Sequence, residues 1–535
     1  MRRRLVCGLL LALALAGCAS TGHGAASVPR SRTFIDDVPA LPTDLDPSAT
    51  PTPAQIEILP SWSSELVRPQ GSRPGPDAQI PPASAVVPYL ATSWRVSPGG
   101  DITFQLRRGV RGPTGDPFTA ADVRWSIARD LAVSPVAPYL FALAGLDTRD
   151  PVTVLGRYTV RINVTAPTPF LLGVLASVAG GIYDSRRYLA HASAADPWGE
   201  LWGATNSATF AAYYISDFLP SRRIVLLANP GSFVHPYYRK VEIKQMPDSY
   251  HRLEGVLSGG ADHTSDLEWK DYTDALLYGP ASHASASILQ TGPETESWFF
   301  DFASGPLRQP AVRRALSLAI DRAELSGRIF AGYAMPDVLA LPAADGEPQP
   351  AGYDTAQARR LLASAGYPHG VGLAVYVPAS IGNGSEKREL ALLSDQLAQA
   401  GITLYPHVVY DSDQLLALAA SHKLDSSIED ITPLLGGAPF LLIQDDGAAL
   451  DPASPAADDD YHDPALTSLL AKLRNTPPGA RANVLAARAA ALVDADVPAA
   501  NLLEIPVQNV TRSDITGYEA YAVPVTYYEY LHPKR

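Results

Sequence analysis

The chain has 535 residues, a hydrophobic fraction of 46% and a formal net charge of −13. This length allows two or more domains with separate cores, and the composition is ordinary for a globular protein. The negative charge argues against a nucleic-acid partner, because binding phosphate groups requires a basic face.

Cysteine and histidine usage limits the chemistry that the chain can perform. The two cysteines, Cys7 and Cys18, both lie in the first twenty residues, so the rest of the chain can form neither a disulfide nor a thiolate metal site. The histidines are scattered without HExxH or HxxxH spacing, and the sequence contains no Walker loop, GxGxxG or GxSxG. We therefore expect no metal, no cofactor and no enzymatic activity.

The N-terminus has the pattern of an export signal. Three arginines precede the apolar run Leu5–Ala16, which is too short to remain as a membrane-spanning helix. The run ends in Leu-Ala-Gly-Cys, which resembles the bacterial lipobox. This resemblance implies a signal peptide over residues 1–18 and lipidation of Cys18, with plain secretion as the alternative. Residues 19–32 are small and polar and are typical of a flexible tether.

The next strong pattern predicts two strands and a helix. Trp94–Ser97 and Ile102–Leu106 alternate around a Gly-Gly turn, which indicates a β-hairpin. Thr119 is placed as a helix N-cap, and Asp122 stands at the third helical position, where it completes a capping box with Asp in place of Glu. We expect this segment to act as scaffold.

The chain then alternates between short strands and helices up to residue 278. The pattern predicts a hairpin at 152–164, a helix at 170–179, a hairpin at 215–229, a strand at 241–246 and a helix at 250–258. Residues 269–278 would complete this part of the chain.

The segment Glu296–Gly332 organises the second half of the chain. Residues Trp298–Phe302 are aromatic and suit a strand. A Ser-Gly-Pro break follows, and Pro310 then stands where the first residue of a helix would be. Apolar residues at helical spacing continue the pattern through Leu325, so we expect one amphipathic helix there.

The remaining elements form a similar series. Asp354 caps a helix that Gly366 ends. Further predicted elements are a strand at 373–377, helices at 386–400, 414–424, 463–473 and 480–494, and a returning strand at 498–510. Asp458–Asp460 lacks the spacing of a calcium loop, and we interpret it as a solvated acidic loop.

Three of these segments resemble one protein family. Residues 88–127, 310–325 and 353–372 are similar to motifs of the family 5 extracellular solute-binding proteins, the oligopeptide- and dipeptide-binding lipoproteins of ABC importers. The resemblance implies an α/β fold of the two-lobed periplasmic-binding-protein type II-like class, with an extra subdomain in the first lobe. It implies lobe I with the extra subdomain at 33–295, lobe II at 296–504 and a return to lobe I at 505–535.

The resemblance also suggests ligand-binding residues between the lobes. Tyr213 is the last residue of the segment that stands where the family has GTGPY. Trp298 lies on the strand that crosses between lobes, where it would otherwise be core. Asp301 replaces a neutral amide of the family, so its carboxylate could meet a cationic ligand group or cap the next turn. Glu429 and Asp430 are the nearest counterparts of an acidic residue in the second lobe.

Two functions remain open at this point. The first is a monomeric, lipid-anchored receptor on the extracytoplasmic face, which captures oligopeptides or similar small solutes and delivers them to ABC permease subunits. The second is a non-transport surface lipoprotein of the same fold, acting as a sensor or envelope-assembly partner. The second is motivated by departures from the family, because Thr209–Tyr213 replaces GTGPY and Asn229–Phe233 replaces NPDYW.

Overall fold

The structure is a computed structural model. It describes residues 30–48, 53–75, 78, 81, 85–302, 305–336, 352–378, 386–409, 418, 425–431, 463–477, 479–497, 499–521 and 523–535. The predicted signal peptide and Cys18, most of the predicted tether, the predicted helix at 414–424 and the acidic run Asp458–Asp460 therefore lie outside the described residues. None of the described helices is long and apolar enough to cross a membrane.

One large mixed sheet runs through the molecule. In the described part of the chain it has eleven strands in the order β15-β14-β16-β12-β17-β11-β1-β10-β9-β8, with β13 also paired to β17. Its strands are β1 Thr33–Val38, β8 Tyr213–Leu219, β9 Arg223–Ala228, β10 Lys240–Gln245, β11 His263–Thr264, β12 Ala284–Phe300, β13 Met335–Pro336, β14 Val371–Pro378, β15 Ile402–Val409, β16 Ser426–Ile431 and β17 Ala499–Arg512.

Two long antiparallel strands divide this sheet into two lobes. Strand β12 has 17 residues and β17 has 14, so at about 3.3 Å per residue each exceeds 40 Å in contour length. The first lobe contains β1 and β8–β11, and the second lobe contains β14–β16. We call β12 and β17 the crossing strands, because they are the strands on which both lobes are built.

Smaller sheets complete the strand inventory of the described residues. A four-stranded antiparallel sheet has the order β4-β5-β7-β6, and β2 pairs with β3 and β18 with β19. These strands are β2 Val67–Pro69, β3 Val86–Pro88, β4 Ala91–Val96, β5 Ile102–Leu106, β6 Val152–Gly156, β7 Thr159–Ile162, β18 Ile515–Thr516 and β19 His532–Pro533. The four-stranded sheet stands outside the large sheet and forms the extra subdomain of the first lobe.

Fourteen α-helices lie in the described segments. Those of the first lobe are α1 Pro53–Ile58, α2 Ala120–Val133, α3 Ala137–Leu143, α4 Leu171–Leu175, α5 Ser185–His191, α6 Glu200–Gly203, α7 Ser249–Leu257 and α8 Trp269–Tyr278. Those of the second lobe are α9 Pro310–Leu318, α10 Arg322–Ile329, α11 Thr355–Ser364, α12 Glu386–Ala400, α13 Pro464–Arg474 and α14 Ala480–Asp496.

The caps predicted from sequence are confirmed. The Asp122 carboxylate accepts hydrogen bonds from the backbone N–H of Thr119 at 2.8 Å and from its hydroxyl at 2.9 Å, which closes the capping box of α2. The Asp354 carboxylate accepts from the backbone N–H of Gln357 at 2.7 Å at the start of α11. Each cap satisfies N–H groups that have no partner inside the helix.

The prediction of a single helix after Pro310 is wrong, because the chain forms two helices there. Helix α9 ends at Leu318, and α10 begins at Arg322. Asp321 causes the second start, since its carboxylate accepts a hydrogen bond from the backbone N–H of Glu324 at 2.9 Å as an N-cap. Apolar residues keep helical spacing through the break, and for this reason the periodicity does not reveal it.

Buried apolar side chains form two groups that each draw on both lobes. One group joins the extra subdomain of the first lobe to the inner faces of α13 and α14 in the second lobe. The other joins α7 and α8 to the crossing strands and to the sheet and helices of the second lobe. The lobes are therefore in apolar contact with each other in this structure. A third group lies within the first lobe, around β1, β9 and β10.

Candidate functional site

The crossing strands contain an irregularity in the middle of their ladder. Gln290 pairs with Val507 and Glu294 pairs with Ile505, so residues 291–293 of β12 face the single residue Pro506 of β17. This bulge interrupts the exchange of backbone hydrogen bonds between the two strands. It lies between the part of the ladder that pairs within the first lobe and the part that leads into the second.

Trp298 lies beyond the bulge on the second-lobe side. Its side chain is 0% exposed and belongs to the apolar group around the crossing strands. Ile428 of β16 lies directly opposite Trp298 in the ladder. Within the described residues the indole N–H of Trp298 has no hydrogen-bond partner. A buried donor without a partner costs roughly 1–3 kcal/mol, so this N–H is a donor that a ligand or water would satisfy.

Asp301 lies one residue past the end of β12. It is 7% exposed. Its backbone N–H donates to the carbonyl of Asp425 at 3.0 Å, which joins the end of β12 to the segment that leads into β16. The sequence left two roles for the Asp301 carboxylate, and its position at the junction of two second-lobe strands is compatible with both.

The register of β16 places the two predicted acidic residues on opposite faces of the sheet. Glu429 pairs with Ser297, and Asp430 pairs with Glu296. Because residues alternate between faces along a strand, Asp430 shares its face with Glu296 and Trp298, and Glu429 does not. The two acidic residues therefore cannot both contribute to one surface beside Trp298.

Tyr213 lies far from the other predicted ligand residues. It is in β8, at the edge of the sheet, six strand positions from β12, a separation of roughly 29 Å along the sheet. Its side chain is 1% exposed, and its hydroxyl donates to the carbonyl of Tyr238 at 2.8 Å. This position assigns the Tyr213 side chain to the first-lobe core and separates it from the crossing strands.

Sequence reasoning missed a buried polar group where β17 meets the first lobe. His263 Nδ1 lies 2.8 Å from Asp36 Oδ1, and His263 Nε2 lies 3.1 Å from Asn509 Oδ1. The Tyr528 hydroxyl donates to the other oxygen of Asp36. Burial alone would lower the pKa of His263, but the neighbouring Asp36 carboxylate outweighs it, and the pKa is raised above its ordinary value of 6.5.

This group was missed because its members are far apart in the chain. Asp36 and Asn509 are separated by most of the sequence, and only the pairing of β1, β11 and β17 brings them together. His263, which directly follows Gly259–Asp262, is the only member of the group that lies beside a local turn signal. Nearby, burial raises the pKa of Glu57 to about 7.

The charged residues in the strands of the crossing region are mainly acidic. Strands β12, β16 and β17 contain five acidic residues, Glu294, Glu296, Glu429, Asp430 and Glu504, and their single basic residue, Arg512, is the last residue of β17. Such a field favours ligands that carry a cationic group. Among the described residues, no group of His, Cys, Asp and Glu side chains has an arrangement suited to a metal ion.

Comparison with known proteins gives one family. The model described as bacterial extracellular solute-binding proteins, family 5 Middle, matches residues 85–445. The glutathione-binding protein GsiB of Escherichia coli O6:K15:H31 (strain 536 / UPEC) is 27% identical over 331 residues, which cover 58% of this chain and 59% of GsiB. The periplasmic murein peptide-binding protein MppA of Escherichia coli (strain K12) is 22% identical over 395 residues, or 68% of each chain.

A solved structure extends the likeness to nearly the whole chain. The periplasmic binding protein DppA from Helicobacter pylori, in complex with the peptide STSA, matches with a TM-score of 0.80 at 20% identity. The match covers 94% of this chain and 98% of DppA. This likeness confirms the two-lobed α/β fold predicted from the sequence.

Proposed function

Because the chain belongs to the bacterial extracellular solute-binding proteins of family 5, we propose that it captures oligopeptides between its two lobes and delivers them to an ABC permease. The observation that carries this proposal is the pair of crossing strands, which joins two lobes through a ladder with a bulge at its centre. Strands that link two lobes can bend as a hinge, and closure of the lobes then surrounds a ligand.

The relatives support a peptide ligand. GsiB is a glutathione-binding protein, MppA is a murein peptide-binding protein, and the DppA structure contains the peptide STSA. All three ligands have peptide chemistry. An extended peptide can form main-chain hydrogen bonds beside a strand, and residues 291–293 lie where the regular ladder is interrupted.

We assign the charged end of the peptide to the acidic residues of the second lobe. In this proposal the Asp301 carboxylate meets the peptide ammonium group, and the Trp298 indole N–H donates to a carbonyl of the ligand. Glu429 and Asp430 contribute through their negative charge. Tyr213 acts by holding the first-lobe core and does not touch the ligand.

The proposal includes the cellular setting expected from the sequence. The family is extracytoplasmic and non-enzymatic. We propose that residues 1–18 are removed, that lipidated Cys18 holds a monomer at the outer face of the membrane, and that residues 19–32 form the tether. We further propose lobe I at 33–295, lobe II at 296–504 and the return to lobe I at 505–535, with both changes of lobe made along the crossing strands.

Calorimetry on the purified protein tests the ligand class. We expect a panel of di- to pentapeptides to contain members that bind, and at a concentration of 100 Kd such a peptide stabilises the folded protein by about 2.7 kcal/mol. Asp301→Asn should weaken binding about tenfold, because a charge-assisted hydrogen bond contributes roughly 1.5–3 kcal/mol. Asp217→Asn is the matched control. Asp217 forms an ion pair with Arg223 at 2.8 Å, but it is in β8 at the sheet edge, far from the crossing strands.

A second function is favoured by one observation in the first lobe. The segment that replaces GTGPY is held by the Thr209 hydroxyl, which donates to the carbonyl of Trp62 at 2.6 Å. None of its residues is among the described non-glycine residues with positive φ, so this segment does not use the freedom that the family's glycines supply. If no peptide binds and a membrane pull-down yields envelope enzymes without a permease, the sensor or assembly role replaces transport.

A further inference from the structure

The bulge of the crossing strands is bridged by an aromatic contact between the lobes. Trp269 of α8 and Tyr333, which follows α10, stack with ring centroids 5.3 Å apart and an interplanar angle of 18°. Tyr272 meets the edge of Tyr333 at 5.3 Å and 88°. Trp269 and Tyr272 are 3% and 1% exposed, and Tyr333 is half-buried against them.

Each half of the contact is fixed to β17, on opposite sides of the bulge. On the first-lobe side, the Gln508 side chain accepts from the backbone N–H of Leu267 at 3.1 Å and donates to the Leu267 carbonyl at 3.0 Å. Trp269 follows two residues later. On the second-lobe side, Met335 pairs with Glu504 in the β13–β17 ladder. The residues that carry the two rings are thus attached on either side of Pro506.

The turn that presents Tyr333 is held in an uncommon conformation. Ala331 has φ of 52° and Gly332 has φ of 82°. For an L residue such as Ala331 this conformation is strained, because Cβ approaches the following carbonyl oxygen. The backbone N–H of Gly332 donates to the Ser326 carbonyl at 2.9 Å, and the Ser326 hydroxyl donates to the carbonyl of Ala334. Two hydrogen bonds therefore maintain a strained turn that fixes the position of Tyr333.

An ion pair extends the contact to the surface. Arg388 of α12 in the second lobe donates to Glu268 in the first lobe at 3.0 Å, and their side chains are 50% and 30% exposed. At that exposure the ion pair is largely screened by solvent. The aromatic rings therefore supply most of the attraction, since stacked and edge-on rings attract each other beyond the area they bury.

We propose that the Trp269–Tyr333 stack is a clamp across the bend point of the crossing strands, and that Tyr333 is a positioning residue for ligand capture. The clamp holds the lobes in the orientation seen here, in which apolar side chains of both lobes are already in contact. In this proposal, the orientation of the two lobes seen here is the one that binds the ligand. The ligand part of the inference rests on the proposed function. The apparent dissociation constant equals the intrinsic one divided by the fraction of molecules that are competent to bind, so loss of the clamp weakens binding.

Spin-label distances test the clamp without a ligand. Both natural cysteines lie in the first twenty residues, so Leu201→Cys and Tyr405→Cys, at positions 81% and 57% exposed, report the interlobe distance in a Cys7→Ser, Cys18→Ser chain. We expect Tyr333→Ala to broaden the distance distribution and Tyr333→Phe to restore it. Tyr376→Ala is the matched control, because Tyr376 stacks on His407 at 4.9 Å and 23° within the second lobe.

Affinity provides the second readout. With a peptide that the panel identifies, Tyr333→Ala should weaken binding about three- to tenfold, and Tyr333→Phe and Tyr376→Ala should match the parent. A folded Tyr333→Ala variant with the parent's distance distribution overturns the clamp. Should Tyr333→Ala not fold, Tyr333→Leu and Arg388→Gln in combination take its place. Absence of any binding peptide would refute the proposed function and leave the distance result to decide the clamp alone.

Discussion

Two buried arginines, one in each lobe, are held in different ways. In the first lobe Arg129, which is 0% exposed, forms a buried ion pair with Asp46. In the second lobe Arg313, 2% exposed, donates to main-chain carbonyls of Leu307 at 2.7 Å and Asp496 at 3.1 Å. Arg129 thus depends on one opposite charge, whereas Arg313 is bonded to main-chain carbonyls, as is Arg252 in the first lobe. We therefore expect removal of Arg129 to cost more stability than removal of Arg313.

A second ion pair of the first lobe fastens the C-terminal segment. The Arg68 guanidinium lies between the rings of Tyr89 and Tyr527, 3.5 Å and 4.4 Å from their centroids. It also pairs with Glu529, whose side chain is 0% exposed. The returning chain beyond β17 is thus held by the first lobe, as expected for a segment that crosses back.

Removing one arginine from each lobe gives the largest expected effect. Arg129→Met leaves Asp46 buried without its cation, so the free energy of unfolding should fall by about 3–5 kcal/mol. Arg313→Met removes donors to main-chain carbonyls, and we expect a loss of about 1–3 kcal/mol. Denaturant unfolding of the two variants measures both. Equal losses would contradict the expected difference between the two arginines.

Two glycines of the second lobe test how much close backbone packing contributes to the stability of that lobe. A Cβ added to Gly370, at φ of 94°, would lie 2.2 Å from the Gly401 carbonyl oxygen, whereas Gly366, at φ of 93°, has open space around it. Gly366→Ala should cost about 1 kcal/mol from backbone strain alone, and Gly370→Ala about 2–3 kcal/mol. Thermal unfolding compares them, and similar melting temperatures would contradict this packing.

The pH dependence is the smallest expected difference and arises in the first lobe. Because the folded pKa of His263 is raised above 6.5, its contribution is fully present below pH 6.5 and is lost as pH rises through the folded value. The parent should therefore lose stability more steeply than His263→Gln above pH 6.5, by at most 1.4 kcal/mol per pH unit.

Urea titrations at pH 6, 7, 8 and 9 measure this slope. Glu57, with a pKa of about 7, acts in the same direction, since the folded chain retains a proton that the unfolded chain has lost. Because the charge of His263 itself lowers the pKa of Glu57, both proteins are compared in a Glu57→Gln background, where the difference between them isolates His263. A steeper slope for His263→Gln would contradict the ion pair with Asp36.

Local signals in the sequence predicted most of the fold. The caps at Thr119 and Asp354 and the hairpins of the first lobe depend on residues only a few positions apart, and the structure confirms them. The break at Asp321 escaped prediction, because apolar spacing continued across it and capping by Asp321 competed successfully with helix propagation.

The candidate site was harder to predict, because it depends on strand order and register. Alternation along β16 separates Glu429 from Asp430, and this follows only from their pairing with Ser297 and Glu296. Strand order places Tyr213 at the sheet edge. Neither fact has a local signature, since both are set by which strands pair across hundreds of residues.

The most direct test of the account is the interlobe distance with and without a bound peptide. Spin labels at Leu201→Cys and Tyr405→Cys lie on the two lobes. A peptide that binds in calorimetry should narrow the distance distribution and favour its shorter part, because the ligand is enclosed when the crossing strands bend. A peptide that binds tightly and leaves the distribution unchanged would contradict capture between the lobes.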